Sequence, residues 1–257
     1  PIYANIRPAK SFPGLPPRVG ESIDLVIARE TTEGFYADRS MFMGSGEFMP
    51  TEDMAVAVRK ITRNASERIA RVGFELAARR RQKVTAVHKA NVFRLSDGLF
   101  LDAVRKVRDE FPNIEYEEQI VDAMAALLIR APEKYDVIVT TNMYGDILSD
   151  QASEIAGSLG LAASLNAGER FAMAQAQHGS APDIAGMDKA NPASLIGSAA
   201  MLLRWLGDRR GEEKFAAAGN AIDSAILAMV SSVSTRTADL GGPLGTGAFT
   251  DGLISHL

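Results

Sequence analysis

The chain of 257 residues contains no cysteine. That absence excludes structural disulfides, thiolate metal sites and a cysteine nucleophile, and it suits a reducing compartment, so the expected location is cytoplasmic. Missing too is any run approaching the roughly 18 uninterrupted apolar residues of a membrane helix. The first residues, PIYANIRPAK, show no basic stretch leading into an apolar core, so neither a membrane anchor nor an export signal is expected. Charge of one sign is also lacking. The net charge is −4, the 28 Lys and Arg are interspersed among 32 Asp and Glu, and no long basic block offers a footprint for nucleic acid or an anionic membrane. A small molecule is the expected partner. Neither a GxGxxG motif nor a Walker loop is present, and no internal repeat or low-complexity tract is visible.

What is present is an ordinary globular composition, 46% hydrophobic and 23% charged, fitting one or two domains. Apolar, β-branched runs alternate with longer segments of helical period. IDLVIARE (23–30), KVTAVHKA (83–90), IEYEEQIV and YDVIVTT read as strands. TEDMAVAVRKITRNASERIARVGFELAARR reads as one long helix with Met54, Val58, Ile61, Ala65, Ile69, Val72 and Leu76 on one face. Ser96 is placed to cap a second helix, DAMAALLIRAP is a third that Pro132 ends, and MYGDILSDQASEIAGSL a fourth, with two more at 193–206 and 212–231. Such alternation implies an α/β fold, a mainly parallel sheet covered by helices, with functional residues at the carboxyl ends of the strands. Between Thr32 and Thr51 the pattern breaks into EGFYADRSMFMGSGEFMP, which reads as an arm or hairpin packing on a partner subunit or as a surface loop.

Asp146 and Asp150 lie four residues apart behind the strand YDVIVTT, on one helical face, where they can present two carboxylates to one hard cation. The alternative is a pair of acids favoured by the helix dipole. Asp122, opening VDAMAAL, is a third acid at a strand end. Three carboxylates without His or Cys favour Mg²⁺ or Mn²⁺ over zinc. Lys89 follows a buried strand. Beside a cation its ammonium form is disfavoured, which suits a general base; otherwise it reaches out into water. Tyr36 is a proton donor if it faces the same cleft, or an aromatic packing residue. Arg7 and Arg29 can hold carboxylates in bidentate fashion or pair with neighbouring acids. HGSAPDIAGMDKANP, with His178 at its head and Asp183 at its centre, is a loop of small residues that lets a ligand approach its backbone, or a structural loop with two prolines.

The order of ANIRPAKSFPGL, RETTEGFY, VHKANV, EQIVDAMA, NMYGDILSDQAS, HGSAPDIAG, KANPASLIGSAAMLL and DLGG resembles the β-decarboxylating dehydrogenases, which include the isopropylmalate, isocitrate, homoisocitrate and tartrate/D-malate dehydrogenases. The resemblance covers essentially the whole chain. It implies their two-domain fold with the first domain incomplete: residues 3–156 as the central metal, substrate and dimer-interface domain with an arm near 32–50, and 157–257 as the C-terminal part of a cofactor domain. By the same resemblance Asp146 and Asp150 bind Mg²⁺ or Mn²⁺, and Asp122 is lent to that site by the other subunit of a homodimer. Lys89 takes the substrate hydroxyl proton and Tyr36 protonates the enol product. Arg7, Arg29, Tyr36, Lys89 and Asp122 surround a 2-hydroxy di- or tricarboxylic acid. Asn91, His178, Gly179, Ser180, Ala181, Pro182, Asp183, Ile184 and Asn191 contact the cofactor.

Asp183 points to NAD, because a carboxylate accepts hydrogen bonds from ribose hydroxyls and repels a 2′-phosphate. NADP-using relatives carry Lys-Tyr where this chain has Asp183-Ile184. The GDGIGPE-like turn, a third substrate arginine and the helix that selects the substrate's side group are missing, which suggests residues upstream of Pro1. RETTEGFY stands between the isocitrate form RENTEG and the isopropylmalate form RELTGG, and FPGL leans to the latter. The expected substrate order is therefore 3-isopropylmalate, then isocitrate, with tartrate/D-malate and homoisocitrate as alternatives. A non-catalytic subunit of the same family is a further alternative, opposed by the joint presence of Tyr36, Lys89 and the three aspartates. A metal-dependent phosphotransferase lacks its nucleophilic Asp or phosphate loop here.

Overall fold

A computed structural model of the chain describes residues 2–20 and 22–257. In chain order the elements are β1 (Ile2–Lys10), β2 (Asp24–Glu30), β3 (Glu47–Thr51), β4 (Met54–Ala57), α1 (Arg63–Ala78), β5 (Lys83–His88), α2 (Ser96–Arg108), β6 (Glu115–Ile120), α3 (Val121–Arg130), β7 (Val137–Thr140), α4 (Asn142–Ala156), β8 (Ala163–Gly168), β9 (Ala172–Ala176), α5 (Ala193–Arg210), α6 (Glu213–Ser231) and α7 (Thr246–Ile254). The alternation of strand and helix is the α/β pattern expected from the sequence. No helix among the described residues is long and apolar enough to cross a membrane.

Two compact units form from interleaved segments. The first comprises the chain up to Ile6, Leu25–Ser149 and Ala167–Glu169; the second comprises Arg7–Asp24, Asp150–Asn166 and Arg170–Leu257. A single cut after residue 156 does not separate them, because β1, α4 and β8 each run from one unit into the other.

In the first unit the strand order is β6-β5-β7-β2-β1. β2 pairs parallel with β7, β7 with β5, and β5 with β6. The register sets Arg29 opposite Thr140 and Val87 opposite Thr140, so the three strands end level with one another. His88 lies opposite Ile120, which carries Lys89 and Asp122 off adjacent strand ends. The core joins Ile69, Phe74 and Ala77 of α1 and Phe100, Val104 and Val107 of α2 to Val84, Ala86, Val137 and Val139 of the sheet. α1 can lie this close because Gly73 faces Val139: a Cβ there would stand 2.1 Å from Val139 Cγ2.

α1 departs from expectation. A single helix across 51–80 is not found, and Met54 lies instead in β4, which pairs antiparallel with β3 as a hairpin. The helix starts after Thr62, whose hydroxyl accepts the Ala65 N–H while its own backbone N–H donates to Glu33 at 2.7 Å. Met54 and Val58 happened to share the period of the true helix. The buried face is Ala65, Ile69, Ala70, Gly73, Phe74 and Ala77, with Val72 and Leu76 only half-buried at its edge. Ser96 is the first residue of α2 rather than its cap, and its hydroxyl accepts from Arg59 instead. β1, β8 and α7 were not expected from the sequence.

In the second unit β8 and β9 are held to α5 through the small polar face of that helix. Ser164 N–H donates to Ser198 Oγ at 2.9 Å, the Ser198 hydroxyl donates to the Gln175 carbonyl at 2.8 Å, and Gln177 N–H donates to Ser194 Oγ at 3.3 Å. Ala193, Ile226, Met229, Val230, Phe249 and Leu253 make this unit's own core.

Candidate active site

In the first unit, β2 delivers Arg29 and the start of α4 delivers Asp146. The Arg29 guanidinium pairs with the Asp146 carboxylate and donates to Asn142 Oδ1 at 3.0 Å from Nε and 2.7 Å from Nη2. Asn142 is fixed in turn, since its side-chain amide donates to the Glu33 carbonyl at 2.9 Å. Arg29 also lies 6.0 Å from the centre of the Tyr36 ring. Gly145 makes room: a Cβ there would meet Arg29 Cγ at 2.6 Å and Thr140 Cγ2 at 3.2 Å. Three expected site residues, Arg29, Tyr36 and Asp146, are thus brought together.

Lys89 and Asp122 form another pair in this unit. The Lys89 ammonium donates to Asp122 and holds that carboxyl below the usual carboxylate range. The Lys89 backbone is gripped on both sides. Its N–H donates to the buried Asp97 carboxylate at 2.5 Å, and its carbonyl accepts from Val92 and Phe93 N–H at 2.9 and 2.8 Å. His88 is buried, its Nδ1 accepts the Ala90 N–H at 3.0 Å, and burial lowers its pKa. Asn91 is exposed just beyond. Burial pushes the Glu33 carboxyl up, although the Thr62 N–H and hydroxyl both bond to it and favour its ionised form. Tyr144 is pushed up to about 12, first by burial and then by the negative charge of Asp97.

In the second unit, Arg7 from β1 reaches Asp150 of α4 at 3.4 Å. Gln177 donates through Nε2 to Asp150 at 2.9 Å and to Ser153 at 3.0 Å, while its Oε1 is buried without a hydrogen-bond partner. Next to it His178 Nδ1 lies 2.8 Å from the Gly179 carbonyl. The loop that follows exposes Gly179, Ser180, Ala181, Pro182 and Asp183 and half-buries Ile184, with Ala181 in the left-handed region at φ 44°. Asn191 is buried where the loop ends. It donates to Asp239 at 3.0 Å and accepts the Ala193 N–H at 3.0 Å, so it anchors the loop to α5. Gly179 has open space where a Cβ would be. A cavity of about 510 Å³ in this unit, between Pro8–Pro13 and Met201, Arg204 and Leu227, includes none of the expected site residues.

Among the described residues no three His, Cys, Asp or Glu side chains converge as a metal cluster. The donors that each unit offers are oxygens: the Asp146 carboxylate in the first, and in the second the Asp150 carboxylate with the orphan Gln177 Oε1 beside it. Carboxylate and amide oxygens of this kind suit a hard divalent cation. The exposed loop with an acceptor carboxylate at Asp183 fits the hydroxyls of a ribose. Residues that the sequence alone did not single out are Arg59, Asp97, Asn142 and Gln177. Of these, only Asn142 lies within one of the motifs, at the head of NMYGD.

A family model for isocitrate/isopropylmalate dehydrogenase matches residues 1–254. The 3-isopropylmalate dehydrogenase of Sulfurisphaera tokodaii is 45% identical over 256 residues, covering all of this chain and 72% of the relative. The isocitrate/homoisocitrate dehydrogenase of Thermus thermophilus is 44% identical over 257 residues, again covering 72% of the relative. The crystal structure of isocitrate dehydrogenase from Methylococcus capsulatus is 38% identical, with a TM-score of 0.89 over 99% of this chain and 73% of that one.

Proposed function

Since the chain belongs to the isocitrate/isopropylmalate dehydrogenase family of decarboxylating dehydrogenases, we propose that it oxidises and decarboxylates a 3-substituted malate with NAD. 3-Isopropylmalate is the favoured substrate, and isocitrate or homoisocitrate, the substrates in the names of close relatives, are next. The observation that carries this reading is the pairing of Arg29 with Asp146 in the first unit, with Asn142 and Tyr36 beside the guanidinium. Guanidiniums are suited to carboxylates of a substrate, and the aspartates to a cation.

Arg7 and Arg29 turn from the α4 carboxylates to those of the bound malate and fix its orientation. Asp146 and Asp150 hold Mg²⁺ or Mn²⁺, with Asp122 lent by the second subunit of a homodimer. When bound, that ion supplies Lewis acidity at the substrate oxygen, and NAD supplies the hydride acceptor. Lys89 accepts the proton of the substrate hydroxyl as hydride leaves the carbon that bears that hydroxyl, and Tyr36 returns a proton to the carbon that lost CO₂. Asp183 accepts hydrogen bonds from the ribose hydroxyls, with Asn91 and the segment 178–184 around the cofactor and Asn191 holding the loop's far end. The second subunit covers the apolar arm around the β3–β4 hairpin, where Phe42, Met43, Phe48, Met49 and Met54 are exposed. A cytoplasmic setting fits a chain without cysteine.

The test is NAD reduction with Mn²⁺ across 3-isopropylmalate, isocitrate, homoisocitrate, tartrate and D-malate. Turnover of one of these with release of CO₂ is expected, and turnover of none would overturn the proposal.

A further inference from the structure

Arg59 has no place in the chemistry just described, yet its side chain is only 7% exposed and its guanidinium lies among three other segments of the first unit. Nη1 stands 2.5 Å from Asp97 Oδ1, an ion pair without hydrogen-bond alignment, and donates to Ser96 Oγ at 2.7 Å. Nη2 donates to Thr141 Oγ1 at 3.3 Å. Its central carbon lies over three aromatic rings, 5.0 Å from that of Phe93, 5.4 Å from that of Tyr144 and 5.7 Å from that of Phe35. The backbone on either side is fixed as well. Lys60 exchanges both hydrogen bonds with Gly34, and Val58 N–H donates to Gly46 at 2.8 Å, at the root of the β3–β4 hairpin.

The side-chain contacts fall on the segments that carry proposed functional side chains. Phe35 precedes Tyr36. Asp97 holds the Lys89 N–H at 2.5 Å, and Phe93 holds its carbonyl. Thr141 and Tyr144 belong to the turn that carries Asp146. We infer that Arg59 is a positioning residue, a buried cation that fixes the segments of Tyr36, Lys89 and Asp146 relative to one another from a single point. The inference rests on the proposed roles of those three residues. A buried ion pair by itself is weak support for stability, since an apolar side chain among three aromatic rings packs as well. What an apolar replacement cannot supply is direction. A planar guanidinium carries five donors in a fixed fork, so it sets the angles of the carboxylate, the hydroxyls and the rings around it at once. Lysine is a point charge and lacks that control.

The test uses two variants of the full chain. Arg59→Met with Asp97→Asn removes both charges and leaves neither buried alone, while Arg59→Lys keeps the cation and loses the fork. Tyr36, Lys89 and the three aspartates are untouched. The double variant is expected to keep its thermal midpoint within a few degrees and to bind Mn²⁺ and substrate as the parent does. Its kcat is expected to fall on the order of 100-fold with KM nearly unchanged, the penalty of a displacement of about 1 Å among reacting groups. Arg59→Lys is expected to recover part of that kcat. A folded double variant with parental kcat overturns the inference. If the double variant does not fold, Arg59→Lys decides: reduced kcat at parental KM supports positioning, and full kcat overturns it. Amide hydrogen exchange gives a reading that needs no turnover. Protection is expected to fall together at 33–37, 89–97 and 141–146, and loss confined to one segment or to none overturns the inference. Absence of turnover in the parent would defeat the proposed function and leave the exchange result standing.

Discussion

His88 shows how one buried residue ties pH to the site. Its Nδ1 accepts the Ala90 N–H, so that nitrogen carries no proton in the folded state, and burial lowers the imidazole pKa below its ordinary 6.5. Glu118 and Asp97 oppose that shift and Arg105 reinforces it. A base whose pKa is lowered on folding binds protons better when unfolded. Its contribution to stability is complete above pH 6.5 and declines as the pH falls through 6.5 towards the folded value. Urea unfolding midpoints are therefore expected to fall between pH 7 and pH 5. His88→Gln, which keeps an acceptor for Ala90, is expected to flatten that slope, and an unchanged slope would remove His88 as its source. At this scale the motif residues were legible, because Asp146, Lys89, Tyr36 and Arg29 lie in short strings with few other uses. Arg59 and Asp97 were not. In VRKIT and LSDG they look like ordinary solvated charges, and only the folding of distant segments over them makes them a buried pair.

The elements meet through glycines, and three substitutions separate packing from function. Gly73→Ala sets a methyl 2.1 Å from Val139 Cγ2, between α1 and β7 in the first core. It is expected to destabilise by about 1–3 kcal/mol by chemical denaturation, as overpacking does. Gly98 of α2 has nothing within 4 Å of its missing Cβ, so Gly98→Ala is expected to stabilise by up to about 1 kcal/mol through helix propensity. Gly145→Ala strikes Arg29 at Cγ, 2.6 Å away. It is expected to raise KM for the hydroxy acid about tenfold or more, since a lost charged hydrogen bond costs roughly 1.5–3 kcal/mol. Equal losses of stability in Gly73→Ala and Gly98→Ala would contradict this reading. The strands β2, β5 and β7 were legible because their apolar runs are buried, whereas β6, EYEEQI, is only partly buried. β4 was not legible: MAVA follows a period that a helix also satisfies, and its role as a strand comes from pairing with β3. β8 was missed because ASLNAG lacks β-branched residues, and α7 because TGAFTDGLI carries two glycines that speak against a helix.

The whole molecule raises the question of how many copies make one site. Asp122 is paired with Lys89, its side chain is 68% exposed, and no third acid joins it within the described residues. The arm exposes Phe42 and Met43 almost fully, a surface that a second copy can cover. If Asp122 completes the metal site of the other subunit, two inactive variants complement each other. Asp122→Asn spoils the site its chain reaches into, and Asp146→Asn spoils the site its own chain builds. In a heterodimer of the two, both lesions fall in one site and the other is intact. Random reassembly of equal amounts makes about half of the dimers mixed, each with one good site of two, so about a quarter of parental kcat is expected. The measurement is NAD reduction before and after the variants are unfolded together and refolded. Recovery near that level places Asp122 across the interface. No recovery from a mixture of folded dimers means that Asp122 acts within its own chain, and the shared-site reading is then lost.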